Sequence, residues 1–297
     1  TPTDSSAASD VYKRQVLRQE RSDYLSQDIY LTLWDSSWIT LQEKDSTGSL
    51  PKRQIHLFQP PRATMEWPSH AYATSLFPSL ENDESSIIPT FPNNEPVWTL
   101  LSDKSPSALK QQIASLRPSK TNLLKLTELP EGSTFDESDG PVMIEQGAVI
   151  EPTSHFIGPC FIGRGAIIRH GAYIRQNSWI CSNSVVGHCS EIKHSVLLPG
   201  AKAPHFNYVG DSILGKGVNL GAGVKLSNLR NDGGEVYLRI DELKLASGLR
   251  KFGAILGEDS QLGCNAVTNP GTVLGNNSIV WPNVTVTGVH GKSSVHR

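Results

Sequence analysis

The sequence predicts an all-β solenoid, a left-handed parallel β-helix of six-residue repeats, preceded by a small α+β or irregular N-terminal region. The main observation is a period of six in the middle of the chain. A large apolar residue stands at every sixth position, at Ile144, Ile150, Phe156, Ile162, Ile168, Ile174, Ile180, Val186, Ile192 and Leu198. This period fits neither an amphipathic helix nor a single half-buried strand. It fits a three-sided prism in which each side is one repeat and the repeating residue points inward.

The second observation is the glycine that often follows the repeating aliphatic residue. It occurs in Ile162-Gly163, Val186-Gly187, Leu214-Gly215, Leu220-Gly221, Leu256-Gly257, Leu262-Gly263 and Leu274-Gly275. A corner between two flat sides needs a tight turn, and glycine turns at little steric cost. The glycines therefore indicate where the prism changes direction.

The apolar period resumes after two breaks. Leu198 and Leu214 are sixteen residues apart rather than eighteen, so the phase slips, which predicts a loop at residues 199–208. Leu226 and Leu256 are thirty residues apart with a charged stretch between them, which predicts an excursion from the prism at residues 228–250. We expect the β-helix to occupy residues 141–288, with a tail at residues 289–297. Loops on a rigid solenoid often carry function.

The N-terminal part has a different composition. Residues 1–15 resemble a translated linker, and we expect them to be a non-native leader. Residues 16–130 form a region of uncertain fold, in which residues 28–41 predict one or two strands and Ser105-Pro106 predicts the start of a helix. The polar residues 131–140 predict a linker.

Composition limits the function classes. The net charge of −2 gives no reason to expect nucleic acid or an anionic membrane surface as a partner. No apolar run approaches the roughly 18 residues of a membrane-spanning helix. The cysteines form no C-x-x-C pair and are few; they are Cys160, Cys181, Cys189 and Cys264. Reduced thiols and a cytoplasmic location are therefore expected.

The first chemical signal is His205, an imidazole in the predicted loop between Lys202 and Tyr208. Arg175 and Lys193 are eighteen residues apart, so they occupy equivalent positions on consecutive coils, about 4.8 Å from each other. Stacked like charges repel unless an anion or a carboxylate lies between them. Two interpretations remain open, which are neutralisation by a carboxylate such as Glu191 and a phosphate site.

These motifs resemble a known family. The segments KAPHFNYVGD (202–211), GVNLGAG (217–223) and SGLRKFGAILG (247–257) are similar to the acetyltransferase domain of the bifunctional glucosamine-1-phosphate acetyltransferase/N-acetylglucosamine-1-phosphate uridyltransferase and to its archaeal sugar-1-phosphate nucleotidyltransferase/acetyltransferase relatives. The resemblance covers about residues 140–288, half of the chain.

The resemblance implies a function and a set of site residues. The activity is transfer of an acetyl group from acetyl-CoA to the amine of an amino-sugar 1-phosphate, in nucleotide-sugar biosynthesis. His205 matches the general base, Arg175 and Lys193 match phosphate-binding residues, and Cys264 stands beside acetyl-CoA. The positions that match sugar contacts are Tyr208, Asn219, Asn228 and Lys251. The family forms trimers whose active site is shared between chains.

Some features depart from the family or favour another function. Pro204 stands where the family has glycine, and residues 16–130 contain no glycine-rich nucleotide loop. Mg²⁺-dependent nucleotidyl transfer is therefore expected only if the full-length protein has a further domain. One alternative is a non-catalytic β-helix that assembles or regulates a sugar-1-phosphate nucleotidyltransferase. A lesser one is a carbonic-anhydrase-like zinc enzyme that would use His170, His188 and His194.

Overall fold

The computed structural model describes residues 29–34, 38–43, 67–82, 86–116, 123–124, 130–240 and 243–297. The chain divides into two compact units, Thr1–Glu66 and Trp67–Arg297. In the first unit, Ile29–Trp34 and Trp38–Glu43 form an antiparallel pair of strands. The aromatic and β-branched composition of residues 28–41 predicted strands here.

The second unit is built on three parallel sheets that form the sides of a prism. Sheet 1 contains Thr134–Asp136, His155–Ile157, Tyr173–Ile174, Glu191–Lys193, Tyr208–Gly210, Lys225–Leu226, Val267–Thr268 and Thr285–Val286. Sheet 2 contains Val142–Glu145, Cys160–Ile162, Ser178–Ile180, Val196–Leu197, Ile213–Leu214, Ala254–Leu256, Thr272–Leu274 and Val289–His290, with Leu123–Leu124 antiparallel at its edge. Sheet 3 contains Val149–Ile150, Ile167–Ile168, Val185–His188, Lys202–His205, Asn219–Leu220, Gln261–Leu262, Ile279–Val280 and Val295–His296. The predicted β-helix is confirmed.

The interior of the prism is a set of apolar columns, one for each sheet. In sheet 1, Ile174 pairs in register with Phe156 and with Ile192, and all three side chains are fully buried. Buried hydroxyls satisfy backbone carbonyls near the corners, as where Ser178 Oγ donates to the carbonyls of Arg175 and Ile192. Each coil therefore buries apolar area that a single repeat could not bury alone.

The predicted loop at residues 199–208 is wrong. Lys202–His205 is a strand of sheet 3, and it pairs in parallel with Val185–His188. The coil therefore continues through the phase slip, and His205 lies at the end of a wall strand rather than on a protruding loop.

Two shortened corners between sheets 1 and 2 take up the phase slip instead. The inward residues Ile192 and Leu197 are five positions apart, as are Val209 and Leu214. The turns are made by His194 and Asp211, with φ of 46° and 47° in the left-handed region. Leu197 takes the inward position that the period assigned to Leu198, and Leu198 joins a second cluster outside the prism.

The β-helix also extends past both predicted boundaries. Thr134–Asp136, in the predicted linker, pairs with His155–Ile157, and Val295–His296, in the predicted tail, pairs with Ile279–Val280. The excursion leaves the prism after Leu226 and contains an antiparallel hairpin of Tyr237–Ile240 and Leu243–Ala246. The two strands at the ends of the β-helix, Thr134–Asp136 and Val295–His296, carry too few apolar residues for the six-residue period to identify them.

Residues 67–82 and 86–116 cover the outward face of sheet 2. This segment contains the 3₁₀ turns Ser69–Ala71, Pro78–Asn82 and Val97–Leu101 and the α-helices Ala73–Leu76 and Leu109–Ser115. Its buried residues share one cluster with the outward side chains of sheet 2, namely Met143, Phe161, Trp179, Val196, Ile213, Ile255 and Val273. The helix predicted from Ser105-Pro106 begins at Leu109, after a turn in which Ser105 Oγ accepts from the Ser107 amide. None of the helices in the described parts of the chain is long and apolar enough to cross a membrane.

The covering segment is expected to contribute strongly to stability through Trp98. Its side chain is 1% exposed, stacks on Phe252 at 5.8 Å between ring centroids, and meets Trp67 edge-on at 5.0 Å. Trp98→Ala should lower the free energy of unfolding by about 3–5 kcal/mol, since a large aromatic leaves a cavity. Urea unfolding followed by far-UV circular dichroism measures this change. Trp281→Ala, at a 50% exposed position, should cost under about 1 kcal/mol, and equal costs would contradict the packing described.

The shortened corner at His194 predicts a pH dependence of stability. Burial lowers the pKa of His194, although the carboxylate of Asp211 opposes the shift. Because the pKa is lower in the folded state, the unfolded chain takes up a proton first as pH falls. Stability should be full above the unfolded pKa of about 6.5 and decline as pH falls through it toward the folded value.

The variant His194→Asn tests this, because asparagine tolerates positive φ and does not titrate. Urea unfolding between pH 8 and pH 5 should show a smaller loss of stability at low pH in this variant than in the wild type. Thr153→Asn, at an exposed corner position with φ of 65°, is the matched control and should keep the wild-type pH dependence, because neither residue titrates. An equal loss of stability at low pH in all three proteins would reject the assignment of this pH dependence to His194.

Candidate functional site

The corner between sheets 3 and 1 carries His205. Backbone hydrogen bonds run along this corner, from the Phe206 amide to the His188 carbonyl, from the Gly223 amide to the His205 carbonyl and from the Asn265 amide to the Ala222 carbonyl. His188, His205, Ala222 and Cys264 therefore hold equivalent positions on consecutive coils. At about 4.8 Å a coil, Cys264 lies about 10 Å along the axis from His205. The structure thus places the predicted base and the predicted acetyl-CoA neighbour on one corner.

A buried amide fixes the backbone around His205. The Asn207 side chain is 2% exposed. Its Oδ1 accepts from the His205 amide at 3.0 Å, and its Nδ2 donates to the Gly221 carbonyl at 2.8 Å. Phe206, between them, turns with φ of 38°. The backbone is anchored while the imidazole of His205 stays exposed to solvent, so a substrate can reach it.

Pro204, the departure from the family pattern, is accommodated by its neighbour on the previous coil. The Pro204 carbonyl lies directly over Gly187, where a Cβ atom would clash with it. Glycine at position 187 therefore allows the close approach that this strand requires. Pro204 lies within the strand Lys202–His205 and does not displace the His205 corner.

Arg175 lies on the opposite edge of sheet 1, toward sheet 2, and is paired with a carboxylate. Its Nη1 donates to Glu191 Oε1 at 2.7 Å, and this hydrogen bond raises the pKa of the guanidinium. Its guanidinium carbon also lies 5.7 Å from the ring centroid of Tyr173. Arg175 is therefore neutralised within the chain itself.

Lys193, on the same edge, is also paired, here with the buried carboxylate of Asp211. Lys193 Nζ lies 3.1 and 3.2 Å from the two Asp211 oxygens, and Asn228 Nδ2 donates to the same carboxylate. Tyr208 reaches the amide of Asn228, and burial raises the pKa of its hydroxyl. Of the two interpretations of the stacked cations, the structure shows carboxylate neutralisation.

The remaining predicted residues lie on both sides of this network. Asn219 is half-buried in sheet 3 between Lys202 and Gln261. Lys251 is exposed at the base of the excursion, where it bridges to Leu229. Within the described residues, no hydrogen bond or ion pair joins His205 to Arg175 or Lys193. The structure therefore brings Tyr208, Asn228 and Lys193 together and leaves His205 across sheet 1 from them.

Sequence reasoning gave no role to Asp211 or Asn207, which organise the site. Asp211 gathers Lys193, Asn228 and His194, the last at 3.5 Å. Asn207 fixes the His205 turn. The signal available for each was a short polar side chain beside a corner, a position where such residues commonly replace a backbone hydrogen bond.

The zinc alternative required three histidines at one place. The rings of His170 and His188 lie 4.3 Å apart, as their eighteen-residue spacing predicts, whereas His194 lies on another corner and contacts Asp211. Among the described residues, no group of three or more His, Cys, Asp or Glu side chains is arranged to hold a metal ion. The geometry therefore gives this alternative no support from within one chain.

Comparisons with known proteins bear on the β-helix. Residues 156–290 match the family model of the GMPPB C-terminal domain. A bifunctional sugar-1-phosphate nucleotidylyltransferase/acetyltransferase of Sulfurisphaera tokodaii is 39% identical over 101 residues, 34% of this chain and 25% of that protein. The bifunctional protein GlmU of Methanococcus aeolicus is 39% identical over 145 residues, 49% of this chain and 35% of that protein. The chain thus covers about a quarter to a third of the length of these relatives.

Among solved structures, the acetyltransferase domain of PglB from Neisseria gonorrhoeae, in complex with acetyl coenzyme A, matches with 14% identity and a TM-score of 0.24, over 52% of this chain and 53% of that one. By sequence, the β-helix of this chain is similar to bifunctional sugar-1-phosphate nucleotidylyltransferase/acetyltransferases and to the GMPPB C-terminal domain, and the resemblance predicted from the motifs around His205 is confirmed.

Proposed function

We propose that this chain is an N-acetyltransferase of the hexapeptide-repeat type. It transfers the acetyl group of acetyl-CoA to the amine of an amino-sugar 1-phosphate, of the glucosamine-1-phosphate type, in nucleotide-sugar biosynthesis. The observation that carries the proposal is the exposed imidazole of His205 on an anchored corner, with Cys264 two coils further along it. The sequence similarity to a bifunctional sugar-1-phosphate nucleotidylyltransferase/acetyltransferase supports the same reaction class.

His205 acts in this proposal as the general base. An ammonium group cannot attack a carbonyl, so a proton must first move from the amine to the imidazole. The neutral amine then attacks the thioester carbon, and the C–S bond breaks as the tetrahedral adduct collapses. The nitrogen gives up its second proton to become the amide, and that proton is taken up by the departing CoA thiolate. The bonds of Asn207 hold the backbone of His205 at one place, which lowers part of the entropic cost of alignment.

Acetyl-CoA lies along the same corner in this proposal. On the coil between His205 and Cys264, the corner is formed by Gly221, Ala222 and Gly223. These residues have no side chain or only a methyl group, so little protrudes from the corner there. A pantetheine arm that follows the corner would bring its thioester toward His205. Cys264 is exposed and stands beside that path.

The acceptor sugar lies over sheet 1 in this proposal, with its amine at the His205 corner. We assign sugar contacts on sheet 1 and the excursion to Tyr208, Asn228 and Lys251, and one contact from sheet 3 to Asn219. Phosphate contacts at Arg175 and Lys193 remain part of the proposal, although a phosphate there would compete with the carboxylates of Glu191 and Asp211.

We further propose a cytoplasmic homotrimer. The four cysteines are all free thiols, as a reducing compartment would keep them. The outward face of sheet 2 is covered by the chain's own residues 67–82 and 86–116, which leaves sheets 1 and 3 for subunit contacts. Sheet 3 carries an outward apolar row on consecutive coils, Val149, Ile167 and Val185. Mg²⁺ enters only with a nucleotidyltransferase domain in a longer protein.

The general base is tested by His205→Asn, which keeps the approximate shape and removes the titrating ring. With acetyl-CoA and glucosamine 1-phosphate as substrates, kcat should fall about 10²- to 10⁴-fold. Product is best followed as the acetylated sugar by NMR, because the exposed thiols of Cys189 and Cys264 would react with a thiol reagent.

His188→Asn is the matched control for this experiment, since His188 pairs directly with His205 on the previous coil. It should retain wild-type turnover. Turnover in His205→Asn equal to that of the control would remove His205 as the base. An inactive wild type would favour the non-catalytic assembly role instead.

The oligomer is tested by light scattering, which should give about three times the 32.4 kDa of the chain. Val149→Glu/Val185→Glu places two carboxylates in the apolar row of sheet 3 and should release monomers, because burying unpaired charge at an interface is costly. Gln111→Glu/Ser115→Glu adds the same charge on the exposed side of the covering helix and should leave the trimer intact. A monomeric wild type would contradict the shared site.

A further inference from the structure

The corner between sheets 3 and 1 continues past Cys264 for two further coils. The backbone position before His205 is held on consecutive coils by Pro204, Gly221, Gly263, Trp281 and Arg297. At about 4.8 Å a coil, Trp281 lies about 14 Å and Arg297 about 19 Å along the axis from the His205 coil. A line that runs from His205 past Cys264 therefore meets these two side chains next.

The surface of this corner changes where it reaches Trp281. On the two coils before it, the same position is glycine, at Gly221 and Gly263, so no side chain protrudes there. On the next coil it carries an indole that is 50% exposed. A single exposed tryptophan is common on protein surfaces. Trp281 differs from such a residue because it stands at the end of a bare stretch of the corner that carries the proposed base.

Arg297 adds a positive charge beside this ring. Its guanidinium carbon lies 5.0 Å from the centroid of the Trp281 ring. The side chain is exposed, and within the described parts of the chain it forms no ion pair with a carboxylate. A nucleotide needs both groups, since its base stacks on an aromatic ring and its phosphates accept hydrogen bonds from a guanidinium.

The length of CoA matches the distance along the corner. Between its sulfur and its first phosphate, CoA has about as many bonds as four residues of extended polypeptide, which span about 13–14 Å. With the thioester at His205 and the pantetheine arm past Cys264, the phosphates reach the coil of Trp281. The adenosine then lies at the end of the corner.

We propose that Trp281 and Arg297 bind the nucleotide end of acetyl-CoA, with the adenine stacked on the indole and a phosphate at the guanidinium. The inference rests on the proposed function and deepens it, since it gives the co-substrate a second point of attachment about 14 Å from the base. The acceptor keeps its place over sheet 1, with its phosphate at Arg175 and Lys193.

A cavity in the excursion holds a second group of cations that could compete for the phosphates of CoA. Its volume is about 410 Å³, and its lining includes Arg230, Tyr237, Arg239, Lys244, Asn269 and Thr287. Arg230 pairs with Asp232, whereas Arg239 and Lys244 are exposed and have no carboxylate partner among the described residues.

The position of this cavity makes it the poorer site for CoA. Asn269 and Thr287 follow the inward residues of their strands, so the cavity lies on the edge of sheet 1 toward sheet 2, as Arg175 and Lys193 do. CoA would have to leave the corner and cross sheet 1 to reach it. Trp281 and Arg297 lie on the corner itself.

The test is isothermal titration of the full chain with CoA. In Trp281→Ala, affinity should fall about tenfold to a hundredfold, the effect of losing one base stacked on an aromatic ring. Trp281→Phe keeps a ring on which adenine can stack and should retain most of the affinity. Arg297→Gln should lower affinity about tenfold to a hundredfold, the effect of losing one charge-assisted contact. Both positions are exposed, so these variants should fold as the wild type does.

Arg239→Gln/Lys244→Gln is the control, because it removes exposed cations from the cavity and leaves the corner unchanged. It should bind CoA as the wild type does. Equal CoA affinity in Trp281→Ala and the wild type would overturn the proposal. A loss in the control as large as that in Arg297→Gln would also overturn it, since the cavity or a general effect of net charge would then explain the result.

Kinetics with acetyl-CoA and glucosamine 1-phosphate separate binding from chemistry. The contact lies far from the thioester and is the same in the ground state and the transition state. Trp281→Ala should therefore raise KM for acetyl-CoA and leave kcat unchanged. A lower kcat with an unchanged KM would contradict a role at the nucleotide end.

The same measurements distinguish this inference from the proposed function. If the wild type binds CoA through Trp281 and transfers no acetyl group, the nucleotide subsite stands and the acetyltransferase assignment fails. If Trp281→Ala transfers acetyl groups with an unchanged KM for acetyl-CoA, the acetyltransferase assignment stands and the subsite is wrong. A wild type that does not bind CoA would overturn both.

Discussion

The stacking of one inward apolar side chain on its equivalent in the next coil is the constraint on which this structure depends. Ile162 on Ile180, Ile174 on Ile192 and Ile168 on Val186 are in parallel register, so a coil cannot shift without exposing its column. Because a parallel ladder leaves the outward residues in register as well, the same constraint lines up side chains along each face and corner. The site residues acquire their spacing from the core beneath them.

The six-residue period was sufficient to predict the fold but not the course of the chain at its corners. A period identifies inward positions, and it fails where two adjacent residues are both apolar. Leu197 and Leu198 are such a pair, so the loss of one residue at His194 could not be distinguished from a loop further on. The strand Lys202–His205 was missed for a different reason. Its inward residue is Ala203, which is too small to mark the column.

The sequence could predict those contacts in the candidate site that follow from the register of neighbouring strands alone. Glu191 lies one strand from Arg175, so its ion pair could be offered as an alternative from spacing. The contact of Asp211 with Lys193 could not be predicted. It depends on the second shortened corner, which the wrongly predicted loop concealed. The cavity in the excursion could not be predicted from the sequence either. Its cations come together only when the hairpin folds back over Asn269 and Thr287. The six-residue period of apolar residues does not predict where the hairpin packs.

The electrostatics of sheet 1 explain why two groups of cations on one edge should behave differently. Arg175 and Lys193 have carboxylates in contact, and breaking either pair would leave a charge without its partner in a partly buried position, which is costly. Arg239 and Lys244 are exposed, so an anion that reaches them displaces water and breaks no ion pair with a carboxylate among the described residues. The first group can hold Tyr208 and Asn228 in place without a ligand, and the second can exchange one.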